Sequence, residues 1–310
     1  MERGTFFLSE PELKMENRKS VYIKSNGIRF HCLTAGDGPL CLCLHGFPDT
    51  RRAWRHQMGL LARDYQVVVP DMRGYGETDA PREVNAYRLP VLIEDVRGLI
   101  EAFGHKEAVL VSHDWGGVVA IHFAQTYPAT VTRLVVSNAP HLGDYADLIF
   151  RKRRLRQIVK IWYVVLNQMP FLSETLLAMR DFWLLEKIVR FYARRPEALT
   201  PEVMAEWKDI LRISGLRGGV NYYRASFWSP VDYFRNRLPN AQIQCPVQVI
   251  WGENDRSLEP ELVQMLAIHV SGPFSVHFVK NCGHWVPQEA PEEFNTVLAE
   301  FLGVPPDQLK

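Results

Sequence analysis

The sequence predicts an α/β fold in which a mostly parallel central sheet is flanked by helices and interrupted once by a block of further helices. Three observations carry that prediction. Short valine-rich runs alternate with stretches of helical spacing between residues 40 and 136, and the alternation resumes between 247 and 302. From about Pro140 to Asn240 no strand-like run occurs, and several helical stretches follow one another. Polar residues gather just past the ends of the valine-rich runs, where an open parallel sheet places its ligands.

Taken in order, Val21–Lys24 and Ile28–Leu33 flank Ser25-Asn26-Gly27, and Asn-Gly is a strong hairpin signal, so the chain begins its sheet with an antiparallel pair. Leu40–Leu44 reads as a buried strand that ends in His45-Gly46-Phe47-Pro48, a glycine-bearing turn whose backbone N–H groups are free to point into a site. Residues 50–64 read as a helix. Gln66–Pro70 is the next strand, opening into Asp71-Met72-Arg73-Gly74-Tyr75-Gly76, and Leu89–Phe103 is the next helix. Ala108–Val111 and Val131–Val136 are further strands. After the helical block come the strand Val247–Trp251, a helix over Glu259–Val270, the strand Phe274–Val279 and a closing helix over Pro291–Leu302. The expected organisation is an N-terminal extension (1–20), a core made of 21–140 and 240–310, and a helical cap over 141–239.

Composition narrows the function classes. At 310 residues, 47% hydrophobic and 23% charged, with a formal net charge of +1, the chain has no global attraction to nucleic acid or to anionic surfaces. Its five cysteines are odd in number and lack paired spacing, which predicts reduced thiols and a cytoplasmic setting. The first twenty residues read as neither a signal peptide nor an anchor, and no run is apolar for the ~18 residues that a span needs. No His-x-x-x-His or Cys-x-x-Cys spacing supports a metal site.

The chemistry centres on Ser112-His113-Asp114-Trp115-Gly116-Gly117, which reads as strand, sharp turn, helix. Asp114 alone would pass for a helix N-cap. Two consecutive glycines in a first helical turn cost about 1 kcal/mol each against alanine, however, and that cost needs a close approach of backbone or ligand to justify it. Two later strands also end in reactive residue types: Asp255 after Val247–Trp251 and His284 after Phe274–Val279. Each has a bland reading, a turn residue and a loop histidine, but three such residues at three strand ends of one sheet converge on one rim. Nucleophile, acid, histidine is the chain order of a hydrolytic triad on this kind of sheet.

These motifs closely resemble the epoxide hydrolases of the α/β-hydrolase superfamily, and the resemblance runs from about Val21 to Leu302. It rests on His45-Gly46-Phe47-Pro48, Asp71-Met72-Arg73-Gly74-Tyr75-Gly76, His113-Asp114-Trp115-Gly116-Gly117, Trp251-Gly252-Glu253-Asn254-Asp255 and Gly283-His284-Trp285. Ser112 departs from the family's usual Gly and is small enough for the turn. The resemblance implies an α/β-hydrolase fold with an inserted helical cap, Asp114 as nucleophile, and His284 with Asp255 as the water-activating pair. It further implies two proton-donating cap tyrosines. Tyr163 stands ahead of Asn167-Gln168-Met169-Pro170, and Tyr223 stands within Asn221-Tyr222-Tyr223-Arg224, with Tyr222 as the competing choice. The backbone N–H groups of Phe47 and Trp115 form the expected oxyanion hole. His45, Pro48, His113, Trp162 and Trp285 are candidate pocket residues, although a structural role suits the two histidines better. The implied reaction turns an apolar epoxide and water into a vicinal diol, without cofactor or metal.

Two other readings compete, and a third, the serine esterase, is disfavoured. A haloalkane dehalogenase would use the same triad but needs halide donors, and Phe47 stands where that family has Asn. A serine esterase would need Ser at 114. A non-catalytic ligand-binding homologue would be expected to lack a triad residue. Two features stand apart from the triad. Arg151-Lys152-Arg153-Arg154 with Arg156 could steer anionic substrates or touch lipid headgroups, or simply be a solvated face. Cys282, two positions before His284, could confer sensitivity to thiol reagents. The cap aromatics Trp162, Phe171, Phe182, Trp183, Phe227 and Trp228 suggest an apolar chamber, with most of them expected in cap core.

Overall fold

Asn26 and Gly27 both take positive φ, 44° and 77°, the two-residue turn that matches strand twist, and it folds β1 (Lys19–Ser25) back on β2 (Ile28–Ala35). The computed structural model describes residues 18–226, 239 and 241–304. Of the expected N-terminal extension, residues 1–17 lie outside the described residues, as do Phe227 and Trp228. The eight strands form a single sheet in the order β1-β2-β4-β3-β5-β6-β7-β8, where β3 is Leu40–Leu44, β4 Gln66–Pro70, β5 Ala108–His113, β6 Val131–Ser137, β7 Val247–Gly252 and β8 Phe274–Val279. All neighbours from β4 to β8 pair in parallel. The central strands are buried on both faces, which is why they read as near-continuous apolar runs.

Residues 50–64 do not form one helix. They form a short 3₁₀ turn, Arg51–Trp54, and then α1, Met58–Leu61. Thr50 tightens the first turn, because its carbonyl accepts the Ala53 N–H at 2.9 Å and its hydroxyl the Arg52 N–H at 3.2 Å. Between the two pieces, Arg55 and Gln57 are drawn into bonds with the C-terminal helices, to Gln288 at 2.5 Å and Asn295 at 2.9 Å. Elsewhere the helices follow the sequence reading closely: α2 spans Leu89–Ala102 and α3 Trp115–Thr126.

Between β6 and β7 lie the helices α4 (Leu142–Phe150), α5 (Leu155–Lys160), α6 (Trp162–Asn167), α7 (Leu172–Tyr192), α8 (Pro201–Ser214) and α9 (Arg217–Ser226). Helix α7 breaks at Met179–Phe182, where Arg180, Asp181 and Phe182 take left-handed φ values. The aromatics of this block do not all face inward. Phe182 is buried, whereas Phe171 and Trp183 are exposed, and Trp162 alone of these four lines the central cavity. The chain closes with α10 (Glu261–Ala267), α11 (Val286–Glu289) and α12 (Pro291–Leu302).

Candidate active site

Asp114 sits in the turn from β5 to α3 with φ 51° and ψ −123°, a strained conformation for a residue with a side chain. The strain holds its carboxylate outward over the strand ends and keeps it from capping α3. The neighbouring glycines are needed for close approach: a Cβ at Gly46 would overlap the Asp114 carboxylate, and one at Gly116 would overlap the Leu44 carbonyl. Ser112 fits without strain, because its hydroxyl donates to the Val135 carbonyl at 2.7 Å.

The Phe47 N–H donates to Asp114 Oδ1 at 2.8 Å, and the Trp115 N–H also bonds the carboxylate. His284 brings Nε2 within 3.5 Å of Asp114 Oδ2, and its Nδ1 meets Asp255 Oδ2 at 2.8 Å. Asp255 is held from several sides. Oδ1 accepts from the Ser257 N–H and hydroxyl, both at 2.6 Å, and from the Leu258 N–H at 3.1 Å; Oδ2 accepts the Asn138 amide at 2.5 Å. Burial acts to raise both carboxyls, but the His284 cation and these donors hold Asp114 and Asp255 below the usual carboxylate range. Burial acts to lower His284, yet the charges of Asp255 and Asp114 push its pKa up to about 10.

A cleft partly open to solvent lies over Asp114. Tyr163 on α6 and Tyr223 on α9 both line it, with ring centroids 5.7 Å apart and planes at 87°. Burial, with neighbouring tyrosines and Asp114 adding to it, pushes both phenols well above their ordinary value, so they stay protonated. Tyr222 faces away from the cavity, its hydroxyl donating to the Arg73 carbonyl at 3.1 Å. The Trp115 indole is engaged by the Tyr223 phenol.

Of the candidate pocket residues, Pro48, Trp162 and Trp285 line the cavity, but His45 and His113 do not reach it. Both histidines are spent on the backbone. His45 Nε2 accepts the Met72 N–H at 3.0 Å, tying two strand-end turns together, and His113 Nε2 meets the His284 carbonyl at 2.8 Å. Burial lowers each to about 4, and both are neutral. The Asp71–Gly76 motif is equally structural: Asp71 pairs with Arg51 and His31, and Arg73 with Asp95. Cys282 is fully buried and burial pushes its thiol up, which leaves little thiolate for thiol reagents.

Sequence reasoning missed the residues that hold the triad in place. Asn138 follows β6 just as Asp114 follows β5, so the strand-end rule could have found it; its Oδ1 also accepts the Gly252 N–H at 3.0 Å. Ser257 lies two residues past Asp255, a turn-forming spacing. Glu289 had no signal at all. Its carboxylate accepts the N–H groups of Gly283 and Trp285, either side of His284, each at 3.0 Å, and those of Arg194 at 2.6 Å and Arg195 at 2.9 Å.

Comparison with known proteins agrees with this architecture. Residues 41–297 match the profile of a family described as "Alpha/beta hydrolase family". The chain is 36% identical over 285 residues to "Epoxide hydrolase 3" of Mus musculus, covering 90% of this chain and 75% of that protein. It is 34% identical over 304 residues to "Epoxide hydrolase 4" of Homo sapiens, covering 95% and 81%. Among solved structures, an epoxide hydrolase of Bacillus megaterium in complex with an inhibitor superposes with a TM-score of 0.84 at 29% identity, covering 91% of this chain and 100% of that one. The chain therefore belongs to the α/β-hydrolase superfamily and, within it, to the epoxide hydrolases.

Proposed function

We propose that the protein is an epoxide hydrolase that converts apolar epoxides to vicinal diols through a covalent alkyl ester on Asp114. The observation that carries this reading is the pair of protonated phenols, Tyr163 and Tyr223, lining the same cavity as an ionised Asp114. A carboxylate ionised at neutral pH is a workable nucleophile at saturated carbon. As its oxygen forms the new C–O bond, the epoxide C–O bond breaks and the departing alkoxide takes a proton from a phenol.

The second half-reaction uses the other residues. Esterification removes the charge on Asp114, and with it one of the two carboxylates that raise His284, so the imidazolium gives up its proton, which restores the phenol spent on the alkoxide, and the neutral ring becomes a competent base. His284 then takes a proton from water, Asp255 stabilises the resulting imidazolium, and the hydroxide attacks the Asp114 carbonyl carbon. The N–H groups of Phe47 and Trp115 stabilise the oxyanion. The ester C–O bond to the diol breaks, the departing oxygen takes the proton of the added hydroxyl, and Asp114 is regenerated as a carboxylate carrying one solvent oxygen beside the His284 imidazolium.

In this scheme residues 141–239 act as the cap over a core of 21–140 and 240–310, and Pro48, Trp162 and Trp285 contact substrate. The buried free thiols support a cytoplasmic setting. The dehalogenase reading is disfavoured because the Trp115 indole is engaged by Tyr223 and Phe47 offers no side-chain donor.

The test is intact-mass analysis of His284→Gln mixed with a styrene-type epoxide. An adduct equal to the epoxide mass, accumulating without turnover and absent from Asp114→Ala, is expected; Asp114→Ala itself should lose at least about 10⁴-fold in rate. Absence of the adduct, or full activity of Asp114→Ala, overturns the ester mechanism. Halide release from haloalkanes at a rate exceeding diol formation would favour the dehalogenase.

A further inference from the structure

Helix α6 lines the cavity and α5 leads into it, and the two sides of this pair of helices differ sharply. The inner side is committed: Gln157 is buried with its amide donating to the Ser257 carbonyl at 2.9 Å, and Tyr163 and Leu166 line the cavity. The outer side is apolar and uncovered. Leu155 is 76% exposed, Val159 74%, Val165 54% and Trp162 45%. Large apolar side chains repeating at helical spacing on the outside need a reason, because a soluble surface gains nothing from them.

Charge lies beside this stripe. Arg151, Lys152, Arg153, Arg154 and Arg156 are all exposed, and among the described residues the carboxylates within ion-pair reach of them are Asp147 with Arg151 and Glu261 with Lys152 and Arg154. Five exposed cations within six residues concentrate positive charge at one place on a chain whose net charge is only +1. The patch also meets the site, because Trp162 is exposed on the outside and lines the cavity on the inside.

An apolar helical face with Trp at its edge and cations at its flank is the pattern of a segment that lies in the plane of a bilayer interface. We propose that the outer face of α5–α6, with the basic run Arg151–Arg156, docks on an anionic lipid bilayer and sets the Trp162 rim of the cavity against the lipid. The cations answer the negative headgroups of a cytoplasmic leaflet, and the apolar stripe enters the acyl boundary. No helix among the described residues is long and apolar enough to cross a membrane, so this contact is peripheral. One consequence rests on the epoxide hydrolase reading: water-insoluble epoxides with an acyl chain would enter directly from the lipid in which they partition.

The experiment is vesicle flotation with the full chain, using phosphatidylcholine vesicles with and without phosphatidylserine, alongside Arg153→Gln/Arg156→Gln and Leu155→Ser/Val159→Ser/Val165→Ser. None of these five side chains lines the cavity, so turnover of a small soluble epoxide serves as the check that each variant is folded. The wild type should float with phosphatidylserine vesicles and bind pure phosphatidylcholine much less. Removing two arginines should weaken binding about 30-fold, at the usual worth of a cation near an anionic leaflet. The triple apolar variant should lose binding at least as severely. Equal binding by wild type and both variants, no binding by wild type, or equal binding to both vesicles overturns the proposal. A dimer in sedimentation velocity that the triple variant dissolves would also overturn it, assigning the face to a second copy of the chain. Because flotation needs no turnover, a failed epoxide assay and a failed docking assay are separate outcomes.

Discussion

At Tyr163 and Tyr223 the same physics that hides a phenol makes it useful. Burial, with neighbouring tyrosines and Asp114 adding to it, pushes both phenols well above their ordinary value, so in the proposed reaction they serve as proton donors to the alkoxide as it forms. In the proposed reaction the two phenols share the donor's task. Tyr163→Phe or Tyr223→Phe should therefore lower the alkylation rate by about 10–100-fold, and the double variant by about 10²–10⁴-fold, the usual range for general-acid assistance. Single-turnover measurement of ester formation checks this; a double variant with wild-type alkylation removes the phenols from the chemistry. Residues at this scale were unevenly legible. Asp114, Asp255 and His284 could be read because each stands just past a valine-rich run, where parallel sheets gather their chemistry. Tyr223 was separable from Tyr222 only by orientation: one ring faces the cavity and the other the Arg73 carbonyl, a distinction no spacing carries.

The elements explain why the turns must be built of small residues. Strands β3 and β5 are neighbours, so the turn after Leu44 and the turn after His113 meet over the same strand ends. Gly46 is the point of contact, and an added methyl would displace the Asp114 carboxylate. Gly46→Ala should therefore cost activity out of proportion to stability. A misplacement on the order of 1 Å is worth about 10²-fold in rate, whereas the overpacking costs about 1–3 kcal/mol. Stopped-flow alkylation and thermal unfolding on the same sample separate the two, and equal activity with a lowered melting temperature would contradict it. The parallel strands and their partner helices were legible from alternation alone. The stretch 50–64 was not, since its helix is cut short by Arg55 and Gln57 reaching across to residues more than 230 positions away. Local periodicity cannot see such a bond.

At the scale of the whole molecule, the histidines make folding depend on pH in two opposite senses. Burial lowers His45, His113 and His122 to about 4 each, and it pushes His141, stacked between the rings of His122 and His269, well below its ordinary value. Each of these rings is neutral in the folded chain and binds a proton near pH 6.5 once unfolded. Stability therefore falls as pH drops from 6.5 toward 4, by about 1.4 kcal/mol per ring per pH unit. His284, raised to about 10, works the other way: its contribution is complete below pH 6.5 and is lost as pH rises through about 10. Melting temperature plotted against pH should form a dome with its top near 6.5 and a steep acid limb. A flat profile between pH 6.5 and 4.5 would show that these rings titrate normally.

The Glu289 carboxylate gives this architecture a mechanical property. It grips the amides on both sides of His284 and, through the Oε2 that holds Gly283, the amides of Arg194 and Arg195 just after α7. Separating them would strip a buried anion of half its donors. His284 and one end of the helical block are thus clamped to a common post. Any displacement of that end of α7 would be carried to the histidine and so to its distance from Asp114.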